Sequence, residues 1–310
     1  MFQKVKVENL PTYISKIEEI FPEFRDHTEV TLSDIRSYYR ESFWGYAIFH
    51  SWAGAVHMAL SEGGKFSKND YFRQAEEVEA MLSSMGDRPV NVLEVGCGRG
   101  FNIAYLARRF PSVNFIGIDI SASNIRSAKK INAGLRNTRF ELGDFHELPE
   151  TLSEKFDLVF AVETLCHSPD VGKALQSLSS VTKMGGRWIV FDGFRESSEF
   201  QDKLIEKAVL YTERAMAVPE FRTVATFSEC TKLAGMSVES QTDRSAEIMP
   251  NLMRLSDLAK MFFKIKAVSK VILFILPRGL VTNAVAGLLM AVTVQTGAHQ
   301  YWKMIFKKVS

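Results

Sequence analysis

Between residues 90 and 194 the chain alternates short apolar, β-branched runs with amphipathic stretches. The apolar runs are VNVLEVG (90–96), NFIGIDI (114–120), TRFELGD (138–144), FDLVFAVE (156–163) and RWIVFDGF (187–194). Between them lie FNIAYLARRF (101–110), SASNIRSAKKINAG (121–134) and VGKALQSLSSVTKMGG (171–186), which read as helices. Strands that are apolar on both faces and joined by helices predict a parallel sheet covered on both sides. Right-handed crossovers make that sheet doubly wound α/β. Ahead of this core, Phe72, Ala75, Val78 and Leu82 recur at helical spacing and predict a helix over 71–85, stopped at Gly86-Asp87-Arg88-Pro89. Beyond it, helical signals run to Met216, and residues 226–245 read as a helix, a stop at Gly235 and a strand. The alternation of residues 299–308 predicts a last strand. The pattern therefore divides into an N-terminal helical cap (1–85), a sheet core (86–247), a helical lid (248–297) and a final core strand (298–310).

Composition narrows the classes open to such a chain. The 310 residues are 46% apolar and 24% charged with a net charge of +2, which suits a protein with a real core. That near-neutral balance gives no reason to expect a nucleic-acid partner, since a phosphate backbone selects basic faces. The three cysteines, Cys97, Cys166 and Cys230, are widely spaced, so neither a disulfide framework nor a zinc module is expected, and a reducing, cytoplasmic setting fits. No metal site is expected. The N-terminal residues lack the apolar core of a signal peptide. The most apolar stretch, 268–294, is interrupted by Lys270, Pro277, Arg278 and Asn283, which argues against a spanning helix.

The chemistry concentrates where the first core strand ends. Gly96, Gly98 and Gly100 lie in LEVGCGRG, between a predicted strand and helix, where the backbone can turn tightly and approach a ligand closely. Glu94 precedes them, Asp119 ends the next strand, and Asp144 ends the third. Three acids at successive strand ends share one crevice in a doubly wound sheet and suit a nucleoside, with Asp119 on the ribose hydroxyls and Asp144 on an adenine amino group. The spacing is G-x-G-x-G, and Glu94 would repel a pyrophosphate while attracting a cationic sulfonium with an amino-acid tail. In these motifs the chain resembles the class I S-adenosylmethionine-dependent methyltransferases. The resemblance implies a Rossmann-like seven-stranded fold with S-adenosylmethionine as cofactor. Its contacts are expected from Glu94, Gly96, Cys97, Gly98, Gly100, Asp119, Ile120, Asn124, Asp144, Phe145 and Val162.

The resemblance extends to substrate class. Tyr38-Tyr39, Trp52-Ala-Gly-Ala-Val-His57 and Glu163-Thr-Leu-Cys166-His167-Ser-Pro169-Asp170 are similar to segments of the sterol C-methyltransferase-like group. That group also takes in enzymes acting on prenyl diphosphates and tocopherol precursors. The Trp-Gly pair of the group is split here into Trp44-Gly45 and Trp52-Ala53. The implied reaction is carbon methylation of an isoprenoid alkene, sterol side chain or linear prenyl diphosphate, in lipid or terpene biosynthesis. The carbocation it generates needs apolar and aromatic walls and a base. Tyr39, Glu163, His167 and His57 are the candidate catalytic groups, and Arg40, Arg222 and Arg254 are the cations available for a diphosphate. Residues 261–296 read either as a lid over a greasy substrate or as a peripheral membrane contact using Lys264, Lys266 and Lys270. A homo-oligomer, a small-molecule N- or O-methyltransferase and a non-catalytic scaffold that keeps the cofactor fold remain open alternatives.

Overall fold

The computed structural model describes residues 7–25, 54–86 and 88–310. Tyr38, Tyr39, Arg40, Trp44 and Trp52 lie outside the described residues. The core strands are β1 (Asn91–Val95), β2 (Asn114–Asp119), β3 (Thr138–Leu142), β4 (Phe156–Val162), β5 (Thr182–Arg195), β6 (Met236–Asp243) and β7 (His299–Lys308). They form one sheet in the order β3-β2-β1-β4-β5-β7-β6. β1 to β5 run parallel, whereas β7 runs antiparallel to both β5 and β6. The order reverses between β1 and β4, the place where a doubly wound sheet opens a ligand crevice at its strand ends.

Every residue of β4 is buried, which is why FDLVFAV reads as a continuous apolar run. Successive residues serve opposite faces. Leu158 and Phe160 join one core with Val92, Ile189 and Phe191, while Val159 and Ala161 join another with Leu93, Ile118 and Trp188. Each fully buried side chain of this size contributes roughly 1.5–3 kcal/mol.

Flanking the sheet are α1 (Leu10–Ile20), α2 (Arg73–Ser84), α3 (Phe101–Arg109), α4 (Ala122–Ile131), α5 (Val171–Val181), α6 (Lys203–Ala215) and α7 (Val224–Leu233). Side-chain oxygens cap several of them at the N-terminus: Ser121 for α4, Asp170 for α5, Asp202 for α6 and Thr223 for α7. The helix expected over 171–186 is shorter than the sequence pattern implies. It ends at Val181, and Thr182 already pairs with Phe156 of β4. The sheet register overrides the helical spacing here, and Gly185 supplies a positive φ of 73° that no helix accommodates.

Between β6 and β7 the chain inserts α8 (Ser245–Phe262), α9 (Lys266–Ile275) and α10 (Arg278–Gln295). α10 packs on α8 and α6, and α1 covers the group from outside. Phe21 at the end of α1 meets the rings of Phe262 and Phe263 at centroid distances of 6.2 Å each. By length and average hydropathy α10 could cross a membrane, but 56% of that window is buried inside the protein, as in a core helix.

Candidate active site

Two half-sites meet at the strand ends. The first is the loop from β1 to α3. Gly96 has φ 65°, and a Cβ there would stand 2.3 Å from Thr164 Oγ1, so no other residue fits without moving the chain. The amide of Cys97 donates to the Ile118 carbonyl at 2.9 Å, stitching the loop to β2. The Gly98 amide donates to Asp119 Oδ2 at 2.8 Å. Asp119 Oδ1 accepts from the Ser121 amide at 2.8 Å and from Asn124 Nδ2 at 3.2 Å, so this carboxylate is held in place from three sides. Register aligns the acids, because Asp119 pairs with Leu142 and Asp144 follows two residues later. Asp144 caps the short turn Phe145–Glu147 through the His146 amide, and His146 Nε2 meets Ser168 Oγ at 2.7 Å. Val162 is buried at the end of β4, and Ile120 is half-buried beyond β2.

Glu94 sits deeper, 2% exposed. Its Oε1 accepts from Asn102 Nδ2 at 2.8 Å. Its Oε2, Asn102 Oδ1 and His57 Nε2 are buried without a well-formed hydrogen bond among the described residues, though the Ile103 amide is near enough to favour the Glu94 charge and Asn102 near enough to act on His57. Burial pushes the Glu94 carboxyl up to about 8, with the nearby Asp119 charge adding to the rise and the Asn102 bond opposing it. His57 donates from Nδ1 to the Met58 carbonyl at 3.1 Å, with the rings of Tyr71 and Phe101 around it. Burial lowers its pKa to about 4, so the ring is neutral at physiological pH.

The second half-site is built on Glu163, directly after β4. Its φ of 51° is unusual for a residue with a side chain, a strain that concentrates at functional positions. Glu163 Oε1 accepts from the Met58 amide at 2.6 Å, and the Tyr301 hydroxyl also bonds the carboxyl. Gln74 Nε2 closes a ring by donating to the Met58 carbonyl at 2.7 Å and to Tyr301 Oη at 3.3 Å. Burial raises the Glu163 carboxyl to about 8. This group faces a cavity of 490 Å³ that is otherwise lined by apolar side chains and one amide, Asn283. Met58, whose amide bonds Glu163, lines it together with Val56 and Met216, and α8, α9 and α10 supply the rest, Leu255, Phe262 and Met290 among them. No Lys, Arg or His lines it among the described residues.

His167 is placed differently. Its Nδ1 donates to the Ala217 carbonyl at 3.1 Å, burial lowers its pKa to about 4, and it is not part of the cavity wall. Burial pushes the Cys97 and Cys166 thiols well above their usual value, so neither is a ready nucleophile. Arg222 bonds Glu220 and the Pro169 carbonyl, while Arg254 stacks over Phe66 and reaches Tyr71, and neither lines the cavity.

A profile of the methyltransferase-domain family matches residues 87–245, just over half of the chain. The chain belongs to the S-adenosylmethionine-dependent methyltransferases. It is similar to trans-aconitate 2-methyltransferase of Deinococcus radiodurans, 36% identical over 113 residues, covering 36% of this chain and 40% of that one. It is also similar to cycloartenol-C-24-methyltransferase 1 of Oryza sativa subsp. japonica, 26% identical over 198 residues, covering 61% of this chain and 55% of the other. The matches thus span about half the length of these relatives. Among solved structures, the cyclopropane synthase MmaA2 of Mycobacterium tuberculosis superposes with a TM-score of 0.72 at 12% identity, covering 91% of this chain and all of that one. That likeness confirms the class I fold expected from the glycine loop and the strand-end acids.

The methyltransferase's first half-site fits its cofactor. Glu94, two residues before the glycine loop, would face a cationic tail, and Asp119, fixed by the Gly98 and Ser121 amides and Asn124, would face the ribose. A consequence concerns protons. Glu94 is mostly protonated below pH 8 in the free methyltransferase, and a cationic ligand selects its ionised form. Affinity for S-adenosylmethionine therefore rises with pH up to about 8, by at most about tenfold per unit, and then levels. Titration calorimetry at neutral pH in two buffers of different ionisation heat should detect the released proton, and Glu94→Gln should remove it.

Sequence reasoning found the acids of this site but missed the groups that hold them. Asn102, one residue into α3, was hidden among ordinary helix-start polar residues. Gln74 and Tyr301 were passed over because each sits in a pattern that reads as core. Asp192, buried at the end of β5 and raised to about 6 by burial, accepts from the Cys166 amide and braces the turn after Glu163. Its position at the end of an apolar strand was the signal available.

Proposed function

We propose that this protein transfers a methyl group from S-adenosylmethionine to an alkene carbon of an uncharged isoprenoid, of the sterol side-chain type, with Glu163 as the base. The observation that supports this most is the half-buried carboxyl of Glu163 in the wall of an otherwise apolar cavity. The cofactor supplies an electrophilic methyl group. Alkene π electrons would form the new carbon–carbon bond as the sulfur–methyl bond breaks and S-adenosylhomocysteine leaves, and the resulting carbocation would lose a proton to the Glu163 carboxylate. Apolar walls from α8, α9 and α10 keep water from capturing the cation. The Met58 amide and Tyr301 hydroxyl hold the carboxylate in position. A diphosphate would call for facing cations, and none lines the cavity among the described residues, which supports a neutral substrate over a prenyl diphosphate. The sterol-methylating relative from rice agrees with this reading.

The test is transfer of labelled methyl to a panel of a sterol with a side-chain alkene, farnesyl diphosphate, an amine and a phenol. Label in the sterol alone is the expected result. Turnover of the amine or phenol with no isoprenoid product would overturn the proposal. A second check follows from the hydrogen-bond ring. The Tyr301 bond favours the ionised form of Glu163, so Tyr301→Phe should move the rising limb of the pH–rate profile to higher pH. An unmoved limb would mean that Tyr301 does not act on this carboxyl.

A further inference from the structure

We infer that α9 is a docking helix that seats this protein on an anionic lipid bilayer, with the mouth of the cavity facing the membrane. The inference rests on the reading of the cavity as a lipid site. α9 is a thin wall with two apolar faces. Val268, Ile272 and Leu276, four residues apart, line the cavity. On the outside Val271, Phe274 and Ile275 face solvent, Phe274 being 92% exposed and Ile275 69%. Val268 and Leu276 belong to both sets, lining the cavity while 49% and 39% exposed, so the opening lies within the apolar patch itself. Met261, 72% exposed at the end of α8, extends the patch and also lines the cavity.

Soluble proteins rarely leave so many large apolar side chains together on one helix without an occupant. Charge indicates which one. From Leu258 to Gln295 the chain has no Asp or Glu, and Lys264 and Lys270 fall within or beside the patch, while Lys260 and Lys266 beside them pair with Asp257 and Glu19. Lysines around an apolar helix face are the arrangement of a helix lying in the headgroup layer, with ammonium groups among anionic lipids and aromatic and aliphatic side chains below them. The polar residue in the middle of α9, Ser269, is buried and donates back to the Phe262 carbonyl at 2.6 Å, so it places no polar group on the outer face. A protein partner on this face would close the opening through which an apolar substrate has to pass. A bilayer would instead supply that substrate.

Co-sedimentation of the full chain with vesicles tests this. Vesicles of phosphatidylcholine containing roughly a third phosphatidylserine should carry the protein down, and pure phosphatidylcholine should bind it about fivefold less for each lysine engaged. Phe274→Asp combined with Ile275→Asp changes exposed positions outside the cavity wall and should cut binding at least about tenfold with an unchanged melting temperature. Lys264→Glu with Lys270→Glu should remove the dependence on phosphatidylserine, an outcome that does not rely on the first variant folding. No sedimentation of the wild-type chain, or sedimentation unaffected by the Phe274 and Ile275 changes, would overturn the inference. So would a dimer in vesicle-free solution that those same changes dissolve, because a second copy would then cover the face. Sedimentation requires no turnover. A protein that binds vesicles but methylates no isoprenoid contradicts the proposed function alone, whereas one that methylates a detergent-dispersed sterol but ignores vesicles contradicts the docking alone.

Discussion

Glu163→Gln is expected to lower kcat for methyl transfer by about 10²–10⁴-fold, the range over which a positioned base acts. The substitution is nearly isosteric. The amide oxygen can still accept from the Met58 amide, so the local structure should hold while the capacity to take a proton is lost. The pH dependence separates this from a merely structural effect. Burial holds the Glu163 carboxyl near 8, so it is largely protonated at neutral pH and becomes a competent base as pH rises. With S-adenosylmethionine saturating at every pH, wild-type kcat/KM for the methyl acceptor should therefore climb toward pH 8 and level above it, while the residual rate of the variant should be flat over the same range. Cofactor affinity, measured by calorimetry, should change little. Unchanged turnover in the variant would remove Glu163 from the reaction and return attention to the residues outside the described segments, Tyr39 among them.

The second large effect is expected at the glycine loop. Gly98 has φ 52°, and a Cβ added there would lie 3.4 Å from Val56 Cγ2. Arginine at this position would be strained in backbone by roughly 1–2 kcal/mol. It would also push a long cationic side chain into the space where the cationic cofactor tail should lie. Gly98→Arg should weaken binding of S-adenosylhomocysteine by at least about 100-fold, equivalent to about 2.7 kcal/mol. Gly96→Ala provides the contrast. Its Cβ would collide with Thr164, so its main effect should be a lower melting temperature. Retained cofactor affinity in Gly98→Arg would show that the ligand does not approach this loop.

The order of strands and helices was legible in the sequence because a parallel sheet buries both faces of its strands. β4 makes this plain, since no polar residue interrupts the run after Asp157. The glycine loop and its acids were legible because backbone geometry and charge restrict which residues can stand there. The start of β5 was not. Thr182 to Gly186 continue a helical spacing, but Thr182 pairs with Phe156 of β4 and the pairing resumes at Arg187 after a register shift. The cavity was also hidden. α8 and α10 are apolar over much of their surface, so periodicity does not say which side faces a lumen and which faces the core. The ring that holds Glu163 lay further out of reach, because Gln74 and Tyr301 are separated by 227 residues. His167 illustrates the reverse case. Its sequence context suggests a base, while the structure sets its Nδ1 on the Ala217 carbonyl and burial lowers its pKa to about 4, which makes it a weak proton acceptor.

The position of β7 has a consequence for how the molecule is made. β6 finds its sheet partner in β7, and β7 is inserted between β6 and β5. Until residues 299–308 have been synthesised, β5 has an open edge and β6 has nothing to pair with. Strand pairing over such sequence separations is slow to form. The same segment delivers Tyr301 to Glu163, so a nascent chain can complete its glycine loop well before the proposed base is set in place. The ability to hold the methyl donor would then arise during translation earlier than the ability to use it.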